Sequence, residues 1–457
     1  MNRIIKSLLD LDRYKLTMSQ FAYLFHRNLK VKYAFTNRTK SKKANEILIF
    51  LMPYIKEQIE LTRKMRFTFF ELLHLKTQTK STGKQLFSDE YIDYLSKSEL
   101  PPVNVFVVKN ELRIETEGEW AITMLWETIL LSIVAELYSR YVATERFVDE
   151  KLSADQDPIG AYLKIQLEKA LKGDEDFLSV IMRPYCDNAM LLLEEKIKAY
   201  KHHPTIAFFE FGTRRRFSAE LQEKVVRRLN EAFHKQQFIG SSQFMGTSNE
   251  YLSMKLCIKA GGTMAHEMFM IQAGLADAAT NGNPYAIQES QYQFLREWNK
   301  LYGYDLSVAL TDTFGSEYFF KNCPQDIAEM YSFREDSSID MFEYTDVVLD
   351  LYKKYKVNSW EKVIVHSNGL DKNKIIALDS YSQGKIKKVY GQGTDLSCDV
   401  GLGFPHLSMV IKAVEVDGTF LVKLSDNLAK AIGDPDQVER YKKIFNYVNE
   451  KSEAQVY

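Results

Sequence analysis

Cysteine is scarce in this chain. Its 457 residues hold four, Cys186, Cys257, Cys323 and Cys398, far apart and without a Cys-x-x-Cys pair. Such spacing supports neither a zinc site nor a disulfide framework and points to a reducing, intracellular setting. A surplus of charge is missing too, with 60 Lys and Arg against 61 Asp and Glu and a pI near 6.7. Proteins that grip nucleic acid through many phosphates usually carry a basic excess, so no nucleic-acid partner is expected, although a local basic cluster suffices for a small anion. The first dozen residues lack the unbroken apolar core of a signal peptide, being interrupted by Arg3, Lys6, Asp10 and Asp12. The most apolar stretch, Met124 to Leu137, is broken by Glu127 and Glu136 and reads as too short to cross a bilayer. The expectation is a soluble, cytoplasmic protein with no membrane partner.

Repeats of fixed period and long Gly/Ser/Pro linkers are also absent, so domain limits must come from changes of pattern. With 45% apolar and 26% charged residues the composition is that of a globular protein, long enough for two domains. Two hairpins stand near the ends. Val105–Val108 and Leu112–Thr116 are joined through Lys109, Asn110 and Glu111, and Met409–Val416 and Thr419–Leu424 flank Asp417-Gly418, a pair that tolerates the positive φ of a tight turn. Between them, strand-like runs alternate with helical stretches: Ile206–Phe211, Phe238–Ser241, Leu306–Leu310, Tyr331–Phe333, Val363–Val365 and Ile386–Tyr390. Leu221, Val225, Leu229 and Phe233 mark one helical face between the first two. Repeated strand–helix units predict a parallel sheet, as an irregular barrel or a doubly wound sheet.

Each run leads into a polar motif: Gly212-Thr-Arg-Arg-Arg, Gly246-Thr-Ser-Asn, Thr311-Asp-Thr, Arg334-Glu-Asp-Ser, Ser367-Asn-Gly and Gly391-Gln-Gly-Thr-Asp. Active sites of such folds lie at the carboxyl ends of the strands, where these loops converge. Gly391, Gly393 and Thr394 with Ser367, Asn368 and Gly369 suit a phosphate cradle, because glycines let backbone N–H groups approach closely. Taken alone, a Gly-x-Gly is a plain turn, and neither loop is a Walker or Rossmann fingerprint. Arg214, Arg215 and Arg216 suit a carboxylate or phosphate, or else serve as salt-bridge donors. His266, at a glycine-led helix start, is a structural histidine or a nucleophile or acid/base group oriented by Glu267. The zinc-protease reading fails, since Met270 stands where a second histidine is required. Asp312 and Asp336 can bind magnesium or a sugar, or pair with the arginines. Tyr14 and Phe211 can stack on a ring or simply fill the core.

In this order the segments resemble the nicotinate phosphoribosyltransferase family. The resemblance runs from Leu8-Leu-Asp-Leu-Asp-Arg-Tyr-Lys-Leu-Thr-Met through Phe35-Thr-Asn-Arg, Leu125-Trp-Glu, Glu210-Phe-Gly-Thr-Arg-Arg-Arg-Phe-Ser, Gly246-Thr-Ser-Asn and Gly262-Thr-Met-Ala-His-Glu. It continues through Leu310-Thr-Asp-Thr-Phe-Gly-Ser, Ser367-Asn-Gly-Leu-Asp and Gly391-Gln-Gly-Thr to Lys423-Leu-Ser-Asp, so nearly the whole chain is covered. It implies an irregular TIM-like α/β barrel, the type II phosphoribosyltransferase fold, over residues 141–404. A second α/β domain would be built from residues 1–140 and 405–457. It also implies a homodimer with shared sites, in which nicotinate lies between Phe211 and the partner chain's Tyr14, with Arg214, Thr247, Ser248 and Arg334 around it.

By the same resemblance, Ser367, Asn368, Gly369, Gly391, Gly393 and Thr394 hold the 5-phosphate of phosphoribosyl diphosphate, and Asp336 holds the ribose hydroxyls. Arg38, Asp312, magnesium and Lys423 manage the diphosphate, and ATP, as co-substrate, transiently phosphorylates His266. The implied reaction forms nicotinate mononucleotide in NAD salvage. Relatives that prefer nicotinamide carry aspartate at the place of Ser248, which would repel a carboxylate. The chain departs from the family's Arg-His-Asp-Ser-Gly-Asp-Pro in reading Arg334-Glu-Asp-Ser-Ser-Ile-Asp, where Glu335 adds negative charge and Ser338 replaces a glycine. A nicotinamide-preferring enzyme and a catalytically silent, regulatory relative are the alternatives.

Overall fold

In a computed structural model of the chain, residues 2–151, 159–234, 242–337 and 340–447 are described. Among the described residues, eleven strands form two sheets. The first is antiparallel, in the order β11-β10-β1-β3-β2, and is made from β1 (Lys30–Asn37), β2 (Val103–Val108), β3 (Glu111–Glu119), β10 (Met409–Val416) and β11 (Thr419–Phe420). Alternation puts Val31, Tyr33 and Phe35 of β1 inside, while Lys30 and Thr36 face out. Because β1 pairs with β10 on one side and β3 on the other, the two ends of the chain share one sheet.

Both hairpins form. Lys109 and Asn110 take positive φ of 49° and 61°, and Asp417 and Gly418 take 42° and 85°, the geometry of two-residue turns that match strand twist. The second hairpin is shorter than the sequence suggests. Its ladder ends at Phe420, and the chain then turns so that Lys423 pairs with Ile432 and Leu424 N–H donates to Thr313 O.

The second sheet is parallel, in the order β5-β4-β9-β8-β7-β6. Its strands are β4 (Ala207–Glu210), β5 (Gln243–Thr247), β6 (Val308–Leu310), β7 (Ser332–Glu335), β8 (Val363–His366) and β9 (Lys387–Gln392). The expected run Phe238–Ser241 lies outside the described residues, and β5 begins just after it. The helix Ala219–His234 follows β4 and buries Leu221, Val225, Leu229 and Phe233, the face that the sequence spacing marks. The gap between β5 and β6 is spanned by residues 259–263. Ala260 bridges to Thr247 in parallel, and the Thr263 hydroxyl donates to Val308 O at 2.9 Å. The result is an α/β fold with an irregular parallel barrel and a second sheet beside it.

The apolar stretch read as too short for a bilayer proves longer. The helical segment Trp120–Glu150 has the length and composition of a membrane span, yet its apolar window is entirely buried within the protein. It is a core helix, whose apolar window is covered by neighbours. Position 140, where the sequence reading divides the chain, lies inside the continuous helix Trp126–Lys151.

Closing the barrel depends on Gly246. Its φ is +130°, and a Cβ there would lie 2.0 Å from Lys259 O. Gly246→Ala is expected to cost at least about 1–3 kcal/mol through backbone strain alone. Urea unfolding of the variant beside the parent checks this, and an unchanged midpoint would show that the 259–263 segment yields freely.

Candidate active site

The carboxyl ends of the parallel strands open onto one pocket. From β4 come Phe211, Arg214 and Arg215, from β7 Arg334 and Asp336, from β8 Ser367, Asn368 and Gly369, and from β9 Gly391, Gly393 and Thr394. His266, first residue of the helix His266–Ala279, stands on the same wall. Arg38, Lys412, Lys423 and Lys430 from the terminal segments complete it. Of the residues singled out from sequence, Tyr14, Thr247, Ser248, Glu267 and Asp312 lie behind this lining rather than in it.

His266 is buried among partners. One ring nitrogen, Nε2, lies 2.9 Å from Asp336 Oδ2 and 3.2 Å from Lys423 Nζ. The other, Nδ1, lies 3.2 Å from the Thr313 hydroxyl and 3.6 Å from Asp312 Oδ1. Burial pushes the imidazole down to about 4, with Lys423 acting in the same direction against both aspartates, so the ring is neutral near pH 7. The Lys423 ammonium is pushed down by burial to about 8, although both aspartates raise it. Glu267 does not orient His266. Adjacent helical residues point about 100° apart, and the Glu267 carboxylate instead accepts from Lys15 at 2.5 Å and Tyr33 at 3.1 Å.

Asp336 is ionised well below the usual carboxylate range. Burial opposes this, but Arg334 and the His266 hydrogen bond outweigh it. The carboxylate also accepts from the Ser367 hydroxyl at 3.0 Å, and Arg334 Nε donates to Ser367 at 2.9 Å, so the β7 and β8 loops are tied together. Asp312 accepts from Ser337, and its other oxygen, buried, has no hydrogen-bond partner among the described residues. Ligand atoms of His266, Asp312 and Asp336 lie within 4.8 Å of one another. The uncommitted Asp312 oxygen suits a hard cation, while Lys423 at 3.5 Å argues against a cation held by protein groups alone.

At the other end, the three consecutive arginines divide the two readings between them. Arg216 is buried in a two-pronged pair with Asp10, at 2.6 and 2.8 Å, and is a salt-bridge donor. Arg215 lines the pocket. Arg214 lines it as well, lying 3.4 Å from Asp12 and 3.7 Å from Glu127 with its guanidinium 6.0 Å from the Tyr14 ring centre. That Tyr14 is the chain's own. Residues 9–13 run beside 248–251, with Arg13 N–H donating to Ser248 O at 2.7 Å and Asp12 bridged to Asn249, which delivers Tyr14 to its own barrel.

Thr247 and Ser248 are not open to a ligand. The Thr247 hydroxyl donates to Glu210 and that of Ser248 to Asp12, each at 2.6 Å. The carboxylate nearest Arg214 is thus Asp12, which burial pushes up against the pull of Arg214. Glu335, the added negative charge, faces away from the pocket. Strand alternation turns it inward beside His366, at 3.7 Å, while Arg334 and Asp336 face the site. Ser338 lies outside the described residues.

The phosphate loops show why glycine is required. A Cβ at Gly391 would meet the Phe211 ring at 2.4 Å, and Gly369 takes φ +52°. Beneath them, Lys196 reaches Asp399 at 2.6 Å and Asp395 at 3.2 Å, while Tyr200 donates to Gln392. Sequence reasoning missed Lys412, Lys430, Asp12 and Glu210. Lys430 donates to Asn368 Oδ1 at 3.1 Å and to Asp336 O at 2.8 Å. Nothing local distinguishes it from the other lysines, since only the fold carries it across to the barrel.

Binding a phosphorylated anion is the task this geometry suits, and the class it defines is that of barrel enzymes acting on phosphate esters. Residues 206–449 match the Nicotinate phosphoribosyltransferase (NAPRTase) family model, and residues 9–135 match that of the NAPRTase N-terminal domain. The chain belongs to the nicotinate phosphoribosyltransferase family. A nicotinate phosphoribosyltransferase of Methanococcoides burtonii is 32% identical over 452 residues, covering 97% of this chain and 98% of that protein. The crystal structure of nicotinate phosphoribosyltransferase from Vibrio cholerae matches with TM-score 0.74 and 26% identity over 99% of this chain and 95% of that one. The enzyme of the same name from Porphyromonas gingivalis, at 24% identity, shares the fold, with TM-score 0.77 over 97% and 100% of the two chains.

Just before Phe211 in the chain, Glu210 is buried and its carboxyl is pushed up to about 7 by burial, against hydrogen bonds from Thr247, Gly212 and Gln222. An acid whose folded pKa is raised contributes stability that is complete below its unfolded value and is lost as pH rises through the folded one. Glu210→Gln mimics the protonated form, so its stability relative to the parent should grow by roughly 3 kcal/mol between about pH 4.5 and 8. Denaturant titrations across that range test this, and parallel pH profiles would refute it.

Proposed function

We propose that this protein joins nicotinate to phosphoribosyl diphosphate, forming nicotinate mononucleotide and releasing diphosphate, as a step in NAD salvage. The observation that carries the reading is the lining of this pocket. Arg214 and Phe211, the glycine loops at the strand ends and lysines of the terminal segments all border one cavity. A planar aromatic acid fits beside Arg214 and Phe211, since a guanidinium matches a carboxylate and a ring can lie against Phe211. The 5-phosphate fits the loops Ser367–Gly369 and Gly391–Thr394.

The pyridine nitrogen attacks the anomeric carbon as the bond to the diphosphate oxygen breaks. Positive charge builds on the ribose, and the electron pair leaves with the diphosphate. Asp336 faces the sugar and steadies that charge, while Arg38, Lys412, Lys423 and Lys430 receive the leaving group, so alignment and electrostatics supply most of the acceleration. Magnesium, held by Asp312 together with substrate oxygens, would neutralise part of the same charge. The neutral His266 is in the nucleophilic form. ATP would pass its γ-phosphoryl group to a ring nitrogen, an N–P bond forming as the bond to ADP breaks, and water would later remove it. The added charge at a helix start would favour a closed state.

Nicotinate is preferred over nicotinamide because Arg214 gains a full carboxylate partner with the acid and only an amide oxygen with the other base. Chromatography of reactions holding nicotinate or nicotinamide, phosphoribosyl diphosphate and magnesium, with and without ATP, is the direct test. Nicotinate mononucleotide should form, and form faster with ATP; no mononucleotide from either base would sink the proposal. Arg214→Gln should raise the KM for nicotinate about 10–100-fold, the worth of a charged hydrogen bond, with a smaller effect on that for phosphoribosyl diphosphate. Label from γ-labelled ATP should appear on the parent protein and be absent from His266→Ala; equal labelling of both would remove His266 from the scheme.

A further inference from the structure

Beneath the pocket lies a buried cluster of charges that the reaction scheme leaves without a role. At its centre is Glu127, near the start of the core helix Trp126–Lys151 and 1% exposed. Its carboxylate lies 2.5 Å from Lys15, 3.1 Å from Lys412 and 3.7 Å from Arg214. Two of these cations reach the pocket from different parts of the fold, Arg214 from the loop after β4 and Lys412 from β10 of the terminal sheet. Burial alone would keep Glu127 protonated, but the three cations outweigh it and hold the carboxylate ionised.

We infer that Glu127 is a positioning residue that fixes two neighbouring cations of the pocket at once, aiming Arg214 at the base and holding Lys412 towards the diphosphate. This rests on the function proposed above for the substrates' identities, although the geometry itself concerns only the two cations. An ammonium on a flexible four-carbon stem has many rotamers, and a buried anion selects one. The Lys412 ammonium is moreover pushed down by burial. Arg214 and Lys15 push it the same way, and Glu127 is the neighbour that raises it. Lys15 is itself shared between Glu127 and Glu267, both at 2.5 Å, and so ties Glu127 to the helix that begins at His266.

The experiment measures inorganic diphosphate binding to the full-length protein by calorimetry from about pH 6.5 to 9.5, a span chosen to bracket a lowered lysine. Glu127→Gln should bind diphosphate about tenfold or more weakly, the cost of one charged hydrogen bond. Its affinity should also begin to fall at a lower pH than the parent's. In the Lys412→Met background the same change should add little, because the two residues act as a unit. In turnover, the KM for each substrate should rise in Glu127→Gln, whereas a residue that only stabilises the fold would lower the active fraction and leave both KM values alone. If Glu127→Gln does not fold, Lys15→Met/Glu127→Gln removes one buried charge of each sign and serves in its place. Parent-like diphosphate affinity and pH dependence in either variant, full affinity in Lys412→Met, or simple addition of the two effects would overturn the inference. Diphosphate binding requires no turnover, so a parent protein that binds it but converts neither base would defeat the proposed function and leave this test intact.

Discussion

Gathering cations around a small pocket is costly unless buried carboxylates hold them, and this constraint organises the molecule. Arg214 is held by Asp12 and Glu127, Arg334 by Asp336, Lys423 by Asp312, and Lys412 by Glu127. Apart from Asp336, which stands two residues from Arg334, each of these carboxylates comes from a different part of the fold than its partner. The pairs therefore act as fasteners between the barrel, the core helix and the terminal sheet. A buried pair of this kind adds little net stability against an apolar alternative, but breaking it leaves an uncompensated charge in a low dielectric. What the pairs secure is geometry.

That geometry divides the pocket into regions of different chemistry. The glycine loops present backbone to a phosphate, and no side chain larger than hydrogen fits at Gly391 because Phe211 lies against it. At the histidine, burial and the nearby lysine keep the ring neutral, while two aspartates stand ready to stabilise any positive charge that develops. Lys423, 3.2 Å from the ring, places a cation beside the nitrogen on which the proposed scheme would put a phosphoryl group.

Much of the candidate site was legible as a list of loops. Strand-like runs followed by Ser367-Asn-Gly and Gly391-Gln-Gly-Thr suggested a phosphate cradle because two such loops together allow close backbone approach, although either alone reads as a plain turn. The histidine and Asp336 were legible for a similar reason, being chemically capable residues at strand or helix ends. Glu267 was misread as His266's partner because adjacency in sequence is not adjacency in space on a helix. Ser248 and Thr247 were placed against the ligand, whereas each donates to a buried carboxylate that only the fold brings near. The addition of Glu335 looked damaging as a charge beside Asp336, yet a strand's period of two turns it to the other face.

What the sequence determined by itself was local: the apolar periods that make the helices, the turn residues of both hairpins, and the motifs at the ends of the parallel strands. These depend on neighbours within a few positions, and so they survive in a linear reading. Only the tertiary structure decided which chain end meets which loop. Lys412, Lys423 and Lys430 arrive from the far end of the chain because β10 pairs with β1, and Tyr14 and Asp12 arrive from the near end because residues 9–13 lie along 248–251. Such long-range pairing leaves no periodic trace in the sequence. It follows from burying one shared core, where hydrophobic contact brings both ends together and charge complementarity favours the arrangement that pairs buried cations with carboxylates.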